Sequence, residues 1–452
     1  MKPVLLVDFG STYTKATAVE AESGKLMGTA QSYTTVEQDI SLGLEKALAE
    51  LKGQTGAVEY EKRYACSSAA GGLRMIASGL VPSLTSEAAK RAALGAGAKV
   101  IRTYAYELTE DDTAEIAALA PDILLLCGGT DGGNSACALH NAEAIASIDR
   151  DFPVVVACNR ACARKCAEIL TAAGREAIVT ENVMPQFNSL NIEPCQKVIR
   201  EVFLRRIIQA KGLSRMHELI SGILMPTPAA VLQALTVLSE DLGELCAVDL
   251  GGATTDIYSI TEGLPTKAGT VLRGLPEPYA KRTVEGDIGM RYSANGVLEA
   301  VGLKRLCGNA DITEEQMTAW LARIQEDKGI LPREAWEQQA DFALAATAIE
   351  VGLARHAGEI EPVYTPMGLA YQQTGKDLTR VKQLLLTGGA LIHTGKAAEL
   401  AQRAMATTFY PSSLMPRQAQ AVVDRHYILS AMGLLSQYDR TLAKTMMIKE
   451  FL

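Results

Sequence analysis

The chain has 452 residues, 48% of them hydrophobic, which is ample for large buried cores and for roughly two to four structural units. Its 44 basic and 52 acidic residues give a net charge of −8 with no basic block, which argues against nucleic acid or an acidic membrane as the main partner. No run of about 18 apolar residues occurs, and nine scattered Cys with five His at no metal-ligand spacing predict reduced thiols in the cytoplasm and no zinc site.

Met1, Lys2 and Pro3 lead straight into an apolar run, without a leader-peptide pattern. Val4-Leu5-Leu6-Val7 predicts a buried strand entering a turn at Asp8-Phe9-Gly10-Ser11-Thr12, and Thr14 to Val19 predicts the returning strand. Ile40, Leu44, Leu48 and Leu51 recur at helical spacing. Ser67 and Ser68 read as a helix N-cap. Between about residues 81 and 180, helix and strand patterns alternate. Thr85-Ser86-Glu87 caps a helix running to Gly95 or Gly97, and a strand follows from Lys99 to Thr103. Thr109 with Asp112 resembles a capping box. A strand from Asp122 to Cys127, a helix near Ala136 to Ile148 and a strand from Val154 to Ala157 complete the segment, which reads as an inserted parallel α/β domain. Strand-turn-strand returns at Cys246 to Ile260, and a helix-rich stretch covers about 285–375. Leu384-Leu385-Leu386 then meets Thr387-Gly388-Gly389, and helical residues dominate to the C-terminus.

Asp8-Phe9-Gly10-Ser11-Thr12-Tyr13-Thr14-Lys15 has the chemistry of a phosphate-approaching hairpin. Gly10 lets backbone N–H groups come close, Ser11 and Thr12 add hydroxyl donors, and a strand-end carboxylate holds Mg²⁺ through water. An ordinary hairpin has a similar turn. Asp249-Leu250-Gly251-Gly252-Ala253-Thr254-Thr255-Asp256 repeats the logic, with Thr254 near the γ-phosphate position. Two copies, each beginning with Asp after an apolar strand, point to phosphate. Leu386-Thr387-Gly388-Gly389-Ala390 offers backbone to an adenine or ribose. Met225-Pro226-Thr227-Pro228-Ala229-Ala230 starts a helix with small residues, and Asp424 precedes a further helix around Ser430-Ala431-Met432-Gly433.

This order of two phosphate loops, an adenosine turn and two connecting helices resembles the actin, Hsp70 and sugar-kinase superfamily. The resemblance implies an α/β chain of actin-like ATPase fold, with two RNase H-like lobes. The first lobe spans 1–80 and 181–245, the inserted domain 81–180, and the second lobe 246–452 with a helical insertion at about 285–375. It also implies ATP or ADP with Mg²⁺ as ligands. Asp8 and Asp249 are then the metal-holding residues, and Asp249, Asp256 and Thr254 the catalytic ones. Gly10, Ser11, Thr12, Lys15, Gly251, Gly252, Ala253, Gly388, Gly389, Ala390 and Gly433 are the nucleotide-binding set. In Hsp70 proteins a Glu precedes the Pro-Thr of the connecting helix and positions the attacking water. Met225 stands there in this chain, which points to a slow Mg²⁺-dependent ATPase.

Cys66-Ser67-Ser68-Ala69-Ala70-Gly71-Gly72-Leu73, Gly128-Gly129-Thr130-Asp131-Gly132-Gly133-Asn134, Thr283-Val284-Glu285-Gly286-Asp287-Ile288-Gly289-Met290-Arg291 and Arg355-His356-Ala357-Gly358 are similar to hallmarks of the glutamate mutase L proteins. That family shares only an abbreviation with the mismatch-repair protein MutL. The resemblance implies a reactivating chaperone whose partners are subunits of an adenosylcobalamin-dependent carbon-skeleton mutase, such as glutamate mutase. ATP binding and hydrolysis would drive lobe closure. A small-molecule kinase or a nucleotide-switched assembly protein on the same fold are the alternatives, and oligomeric state stays open.

Other constellations admit plainer readings. Gly128 to Asn134 is either a ligand loop at the end of a parallel strand or a glycine-rich turn with Asn134 as helix cap. The segment from Gly95 to Gly133 lacks the Asp-x-His-x-x-Gly signature of cobalt ligation, so no cobalamin is expected there. Cys158, Cys162 and Cys166 fall at i, i+4 and i+8 on one face of a helix, and read as core packing rather than an iron–sulfur site. Glu285 and Asp287 contact Mg²⁺ or nucleotide, or complement a helix dipole. Arg355-His356 orders a helix interface.

Overall fold

The first apolar run forms β1 (Pro3–Phe9), with all seven residues buried, as suits a central strand. In this computed structural model, residues 2–10, 13–34, 40–68, 73–96, 98–210, 223–308, 312–366 and 368–452 are described. β2 (Tyr13–Glu20) returns antiparallel to β1, and β3 (Lys25–Tyr33) continues the meander. α1 (Ile40–Thr55) follows with Leu44 and Leu51 fully buried. β4 (Lys62–Ser67) then joins β1 in parallel. Ser67 therefore ends a strand, and the Ser68 N–H donates to Phe9 O at 2.9 Å. Ser67 thus caps no helix; residues 69–72, which would follow a cap at Ser68, lie outside the described residues, and β5 (Leu73–Gly79) is the next described element.

The expected alternation follows as α2 (Pro82–Ala96), β6 (Ala98–Ala105), α3 (Glu110–Leu119), β7 (Ile123–Gly128), α4 (Ala136–Ala146), β8 (Val154–Cys158), α5 (Ala163–Ala172) and β9 (Ala177–Val179). Its strands form a parallel sheet in the order β6-β5-β7-β8-β9, which takes in Leu73–Gly79 ahead of residue 81. α2 begins at Pro82, ahead of the expected Thr85-Ser86 cap. Proline suits the first helical turn, where its missing N–H would have had no partner. The Thr109 capping box is present: Thr109 Oγ1 accepts from the Asp112 N–H at 3.2 Å, and Asp112 Oδ2 from the Thr109 N–H at 2.9 Å. Asn134 does act as a cap, its Oδ1 accepting from the Cys137 N–H at 3.1 Å.

α6 (Glu193–Ala210) and the unforeseen β10 (Ile223–Pro226) complete this first unit, Met1–Ala230. β10 pairs with β4, so the N-terminal sheet runs β10-β4-β1-β2-β3. One core joins Phe9, Leu44, Met75, Ala92, Leu125 and Phe203. Ile76, Leu124, Leu126 and Phe152 point into a second core on the other face of the parallel sheet, as strand alternation requires.

α7 (Thr227–Leu242) carries the chain into the second unit, Val231–Leu452. That unit contains β11 (Leu245–Leu250), β12 (Thr255–Ile260), β13 (Thr270–Arg273) and β14 (Ala280–Glu285). The helices α8 (Ala294–Val301), α9 (Leu303–Gly308), α10 (Glu314–Glu326) and α11 (Ala335–His356) follow. The helix-rich stretch ends there, because 359–374 folds as the hairpin β15 (Glu359–Thr365) and β16 (Gly368–Thr374), joined by β13. β17 (Gln383–Thr387), α12 (Gly389–Ile392), α13 (Ala397–Met405), β18 (Gln420–Val423), α14 (Leu429–Tyr438) and α15 (Arg440–Phe451) end the chain. The five-stranded sheet of this unit runs β14-β12-β11-β17-β18. Its core gathers Val248, Ile257, Trp320, Leu344 and Leu386.

This sheet and the N-terminal one share one plan: an antiparallel three-stranded meander whose first strand is extended by two parallel strands. This is RNase H-like topology, and two such units make the fold actin-like. Among the described residues no helix is long and apolar enough to cross a membrane.

Candidate functional site

Both glycine hairpins close alike. The Gly10 N–H donates to Tyr13 O at 3.0 Å, and the Gly251 N–H donates to Thr254 O at 3.0 Å. A Cβ on Gly10 would stand 2.5 Å from Tyr13 O, so only glycine permits that closure. Ser11 and Thr12, the expected hydroxyl donors of the first turn, lie outside the described residues.

In the first hairpin Asp8 is 3% exposed and stands opposite Lys15 in register. Its Oδ2 accepts from Lys15 Nζ at 3.2 Å, and its Oδ1 accepts from Thr227 Oγ1 at 2.5 Å. Thr227 opens α7 directly after β10, so the start of the connecting helix is pinned to the strand-end carboxylate. Burial, reinforced by the Asp8 charge, pushes the neighbouring Cys66 thiol well up. Met225, in the position of the Hsp70 glutamate, is buried beside Cys66 in register.

In the second hairpin Asp249 stands opposite Asp256. Asp256 Oδ1 accepts from Arg282 Nε at 2.8 Å and lies 2.6 Å from its second nitrogen. Thr254 Oγ1 approaches Asp256 Oδ2 at 3.5 Å. Burial is the largest single influence and works to lower the Arg282 pKa, but the Asp256 and Tyr258 charges and hydrogen bonds together outweigh it and hold the guanidinium above its usual range. Asp256 is thus committed to a largely buried ion pair, while Asp249, likewise half-buried, lies at the strand end.

The turn is braced from behind. The Met290 N–H donates to Gly251 O at 3.0 Å, and the Arg291 and Tyr292 N–H groups both donate to Gly252 O at 2.8 Å. Arg291 is itself fixed by Asp341 at 2.9 Å. The Glu285-to-Arg291 motif therefore acts as a backing strap for the turn. Arg355 bridges Glu285 at 2.7 Å and Asp287 at 3.0 Å. Burial nevertheless raises the Glu285 pKa. His356 binds Thr283 Oγ1 and Ser259 Oγ, each at 2.8 Å, and burial lowers its pKa well below the usual value. Its neutral ring joins α11 to the sheet.

Gly388 belongs to the same constellation. It has φ +95°, and a Cβ there would stand 2.6 Å from Asp249 Oδ1 and 2.5 Å from Leu250 O. Thr387 Oγ1 donates to Asp424 Oδ2 at 3.0 Å, while the Asp424 carboxylate also receives the Ile428 and Leu429 N–H groups. Asp424 thereby ties the end of β17 to the start of α14. Gly389 and Ala390 open α12, and Gly433 is buried inside α14. The missing side chain at Gly388 lets the end of β17 pack directly against the Asp249 carboxylate and the Leu250 backbone.

Sequence reasoning assigns no contacts to Thr227, Arg282 or Asp424. The Pro226-Thr227 motif is a signal for the first, and Asp424 stands out only as preceding a helix. Nothing in local spacing marks Arg282, whose partner is on a neighbouring strand.

Two RNase H-like sheets with matched Asp–Gly hairpins define an α/β protein of the actin-like ATPase fold. The family model described as MutL protein matches residues 4–451. The chain is 47% identical over 449 residues to Protein MutL of Clostridium tetanomorphum, covering 97% of this chain and 96% of that one. It belongs to the MutL protein family. Similar solved structures include nucleotide-free acetone carboxylase (12% identity, 96% of this chain and 70% of that one, TM-score 0.43). Nucleotide-free diol dehydratase-reactivating factor is another (11% identity, 97% and 100%, TM-score 0.40).

Proposed function

We propose that the chain is an ATP-dependent reactivating chaperone for an adenosylcobalamin-dependent carbon-skeleton mutase, with slow Mg²⁺-dependent ATPase activity. The observation that carries the nucleotide reading is the duplicated hairpin, with Asp249 held against the bare backbone of Gly388. Asp8 and Asp249 hold the hydrated Mg²⁺. Gly10, Ser11, Thr12, Gly251, Gly252, Ala253 and Thr254 receive phosphate, while Lys15 balances the charge of Asp8. Gly388, Gly389 and Ala390 receive adenosine, and Gly433 supports them from α14. Bound Mg²⁺ supplies charge neutralisation. Asp249 orients the attacking water, and Asp256 acts indirectly by holding Arg282 and Thr254. Met225 in place of a carboxylate keeps turnover slow. ATP and ADP then shift the chain between conformations because they bind them with different affinity.

The mutase assignment rests on membership of the MutL protein family and on the resemblance to glutamate mutase L proteins. A kinase using Asp256 as base is disfavoured, because Arg282 occupies that carboxylate. The test uses a mutase inactivated by its own turnover, incubated with this chain, ATP, Mg²⁺ and fresh adenosylcobalamin. Activity returns with the wild-type chain and not with Asp249→Asn. Failure of both to restore activity, or transfer of phosphate to a small acceptor, defeats the proposal.

A further inference from the structure

Three thiols converge where the parallel sheet of the first unit ends. Cys158 is the last residue of β8, Cys162 is the N-cap of α5, and Cys166 lies one turn further along. They do not share a helix face, as expected from spacing, because the chain turns between Cys158 and Ala163. That turn brings them closer than a helix would. Their sulfurs all lie within 4.8 Å of one another, and those of Cys158 and Cys162 are 4.0 Å apart. Cys158 and Cys166 are fully buried and Cys162 is 3% exposed.

The scaffold around them is fixed by Asn159. Its Oδ1 accepts from the Gly132 and Ala161 N–H groups at 3.1 and 3.0 Å, and its Nδ2 donates to Gly133 O and Ser135 Oγ at 3.0 Å each. The glycine-rich loop Gly128–Asn134 is thus tied to the turn that carries the thiols. Three sulfurs bound at ~2.3 Å around one ion in a plane stand about 4.0 Å apart. The cluster therefore needs an adjustment of at most about 0.8 Å between any pair to close on an ion.

We propose that Cys158, Cys162 and Cys166 form a binding site for one thiophilic d¹⁰ cation, with Cu⁺ the best match to three sulfur donors. Zn²⁺ prefers a fourth ligand, and among the described residues the cluster offers three. A four-iron cluster places iron and sulfide between its cysteines and needs wider spacing. Binding replaces three S–H bonds by three Cu–S bonds; three protons leave, copper stays monovalent and no electron moves. Helix position helps, since Cys162 caps the positive end of α5.

The experiment titrates the reduced full chain with Cu⁺ buffered by bathocuproine disulfonate, and in parallel with chelator-buffered Zn²⁺. One Cu⁺ per chain withstands the chelator, Cys307→Ala retains it, and Cys158→Ala/Cys162→Ala/Cys166→Ala binds at least ten-fold more weakly. Copper-edge X-ray absorption of the wild-type chain, which does not depend on the variant folding, shows three sulfur neighbours. Loss of Cu⁺ to the chelator, fewer than three sulfurs around it, unchanged uptake by a folded triple variant, or tighter retention of Zn²⁺ than of Cu⁺ each overturns the proposal.

Discussion

Gly388 lies against Asp249: a Cβ at 388 would be 2.6 Å from the carboxylate Oδ1, on a backbone at φ +95°. Gly388→Ala therefore meets both a left-handed backbone and a clash, of order 1–3 kcal/mol together. Relief of that clash moves Asp249 from the strand end. We expect ATP affinity to fall about ten-fold, equivalent to ~1.4 kcal/mol, in titrations with a fluorescent ATP analogue. Gly389→Ala is the contrast, because nothing lies within 4 Å of a Cβ at 389; its melting temperature stays near wild type. Equal melting losses in the two variants would sink the cradle argument.

Asp249 and Asp256 face each other across the second hairpin, yet they predict opposite phenotypes. Asp249→Asn leaves the fold intact and lowers ATP turnover by about a hundred-fold or more. Asp256→Asn deprives the buried Arg282 of its counter-charge, a loss of about 3 kcal/mol. It should lower the urea midpoint clearly, with a smaller effect on turnover per folded molecule. Steady-state hydrolysis and urea unfolding of both variants separate these outcomes, and the reverse pattern would exchange the two roles.

Much of this fold was legible because its strands are short apolar runs that lead into a glycine turn. Val4 to Val7, Ile123 to Leu126 and Leu384 to Leu386 each became a buried strand, and the Thr109 box marked a helix start without tertiary help. What stayed hidden depends on long-range pairing. Ile223 to Pro226 became a strand only by finding β4. Ser67 resembled a helix cap in isolation, but pairs in register with Phe9. The thiols illustrate the same limit, since a spacing of four residues reads as helix while Cys158 to Ala163 is strand end and turn. At the candidate site the carboxylates and glycines were visible, whereas their holders Thr227 and Arg282 reach them from distant elements.

Thr227 donates to Asp8 Oδ1 at 2.5 Å. A hydrogen bond to a charged group contributes about 1.5–3 kcal/mol, and here it fixes the carboxylate proposed to hold Mg²⁺. Thr227→Val preserves shape and removes the donor. We expect the Mg²⁺ concentration for half-maximal ATP turnover to rise about ten-fold, with restoration by Thr227→Ser. A Mg²⁺ requirement that is unchanged in the valine variant would remove Thr227 from the site.

Lys376 is fully buried, its Nζ donating to Thr261 O at 2.7 Å and Tyr279 O at 2.8 Å. Burial, then the Lys281 charge, pushes its pKa down from 10.5 to about 8; Glu277, Cys246 and Glu262 oppose the shift. Below pH 8 both folded and unfolded chains carry the proton, so the penalty for the buried charge is fully present. Between pH 8 and 10.5 the unfolded chain binds more protons, so this residue's contribution raises stability as pH rises. The full swing is on the order of 3 kcal/mol. Tyr258, whose pKa burial pushes well up, acts oppositely at high pH but is common to wild type and Lys376→Met. Urea unfolding of both proteins from pH 7.5 to 10 should therefore show wild-type stability rising relative to the variant. A difference that is flat across that window would mean that the Lys376 ammonium is not penalised by its surroundings.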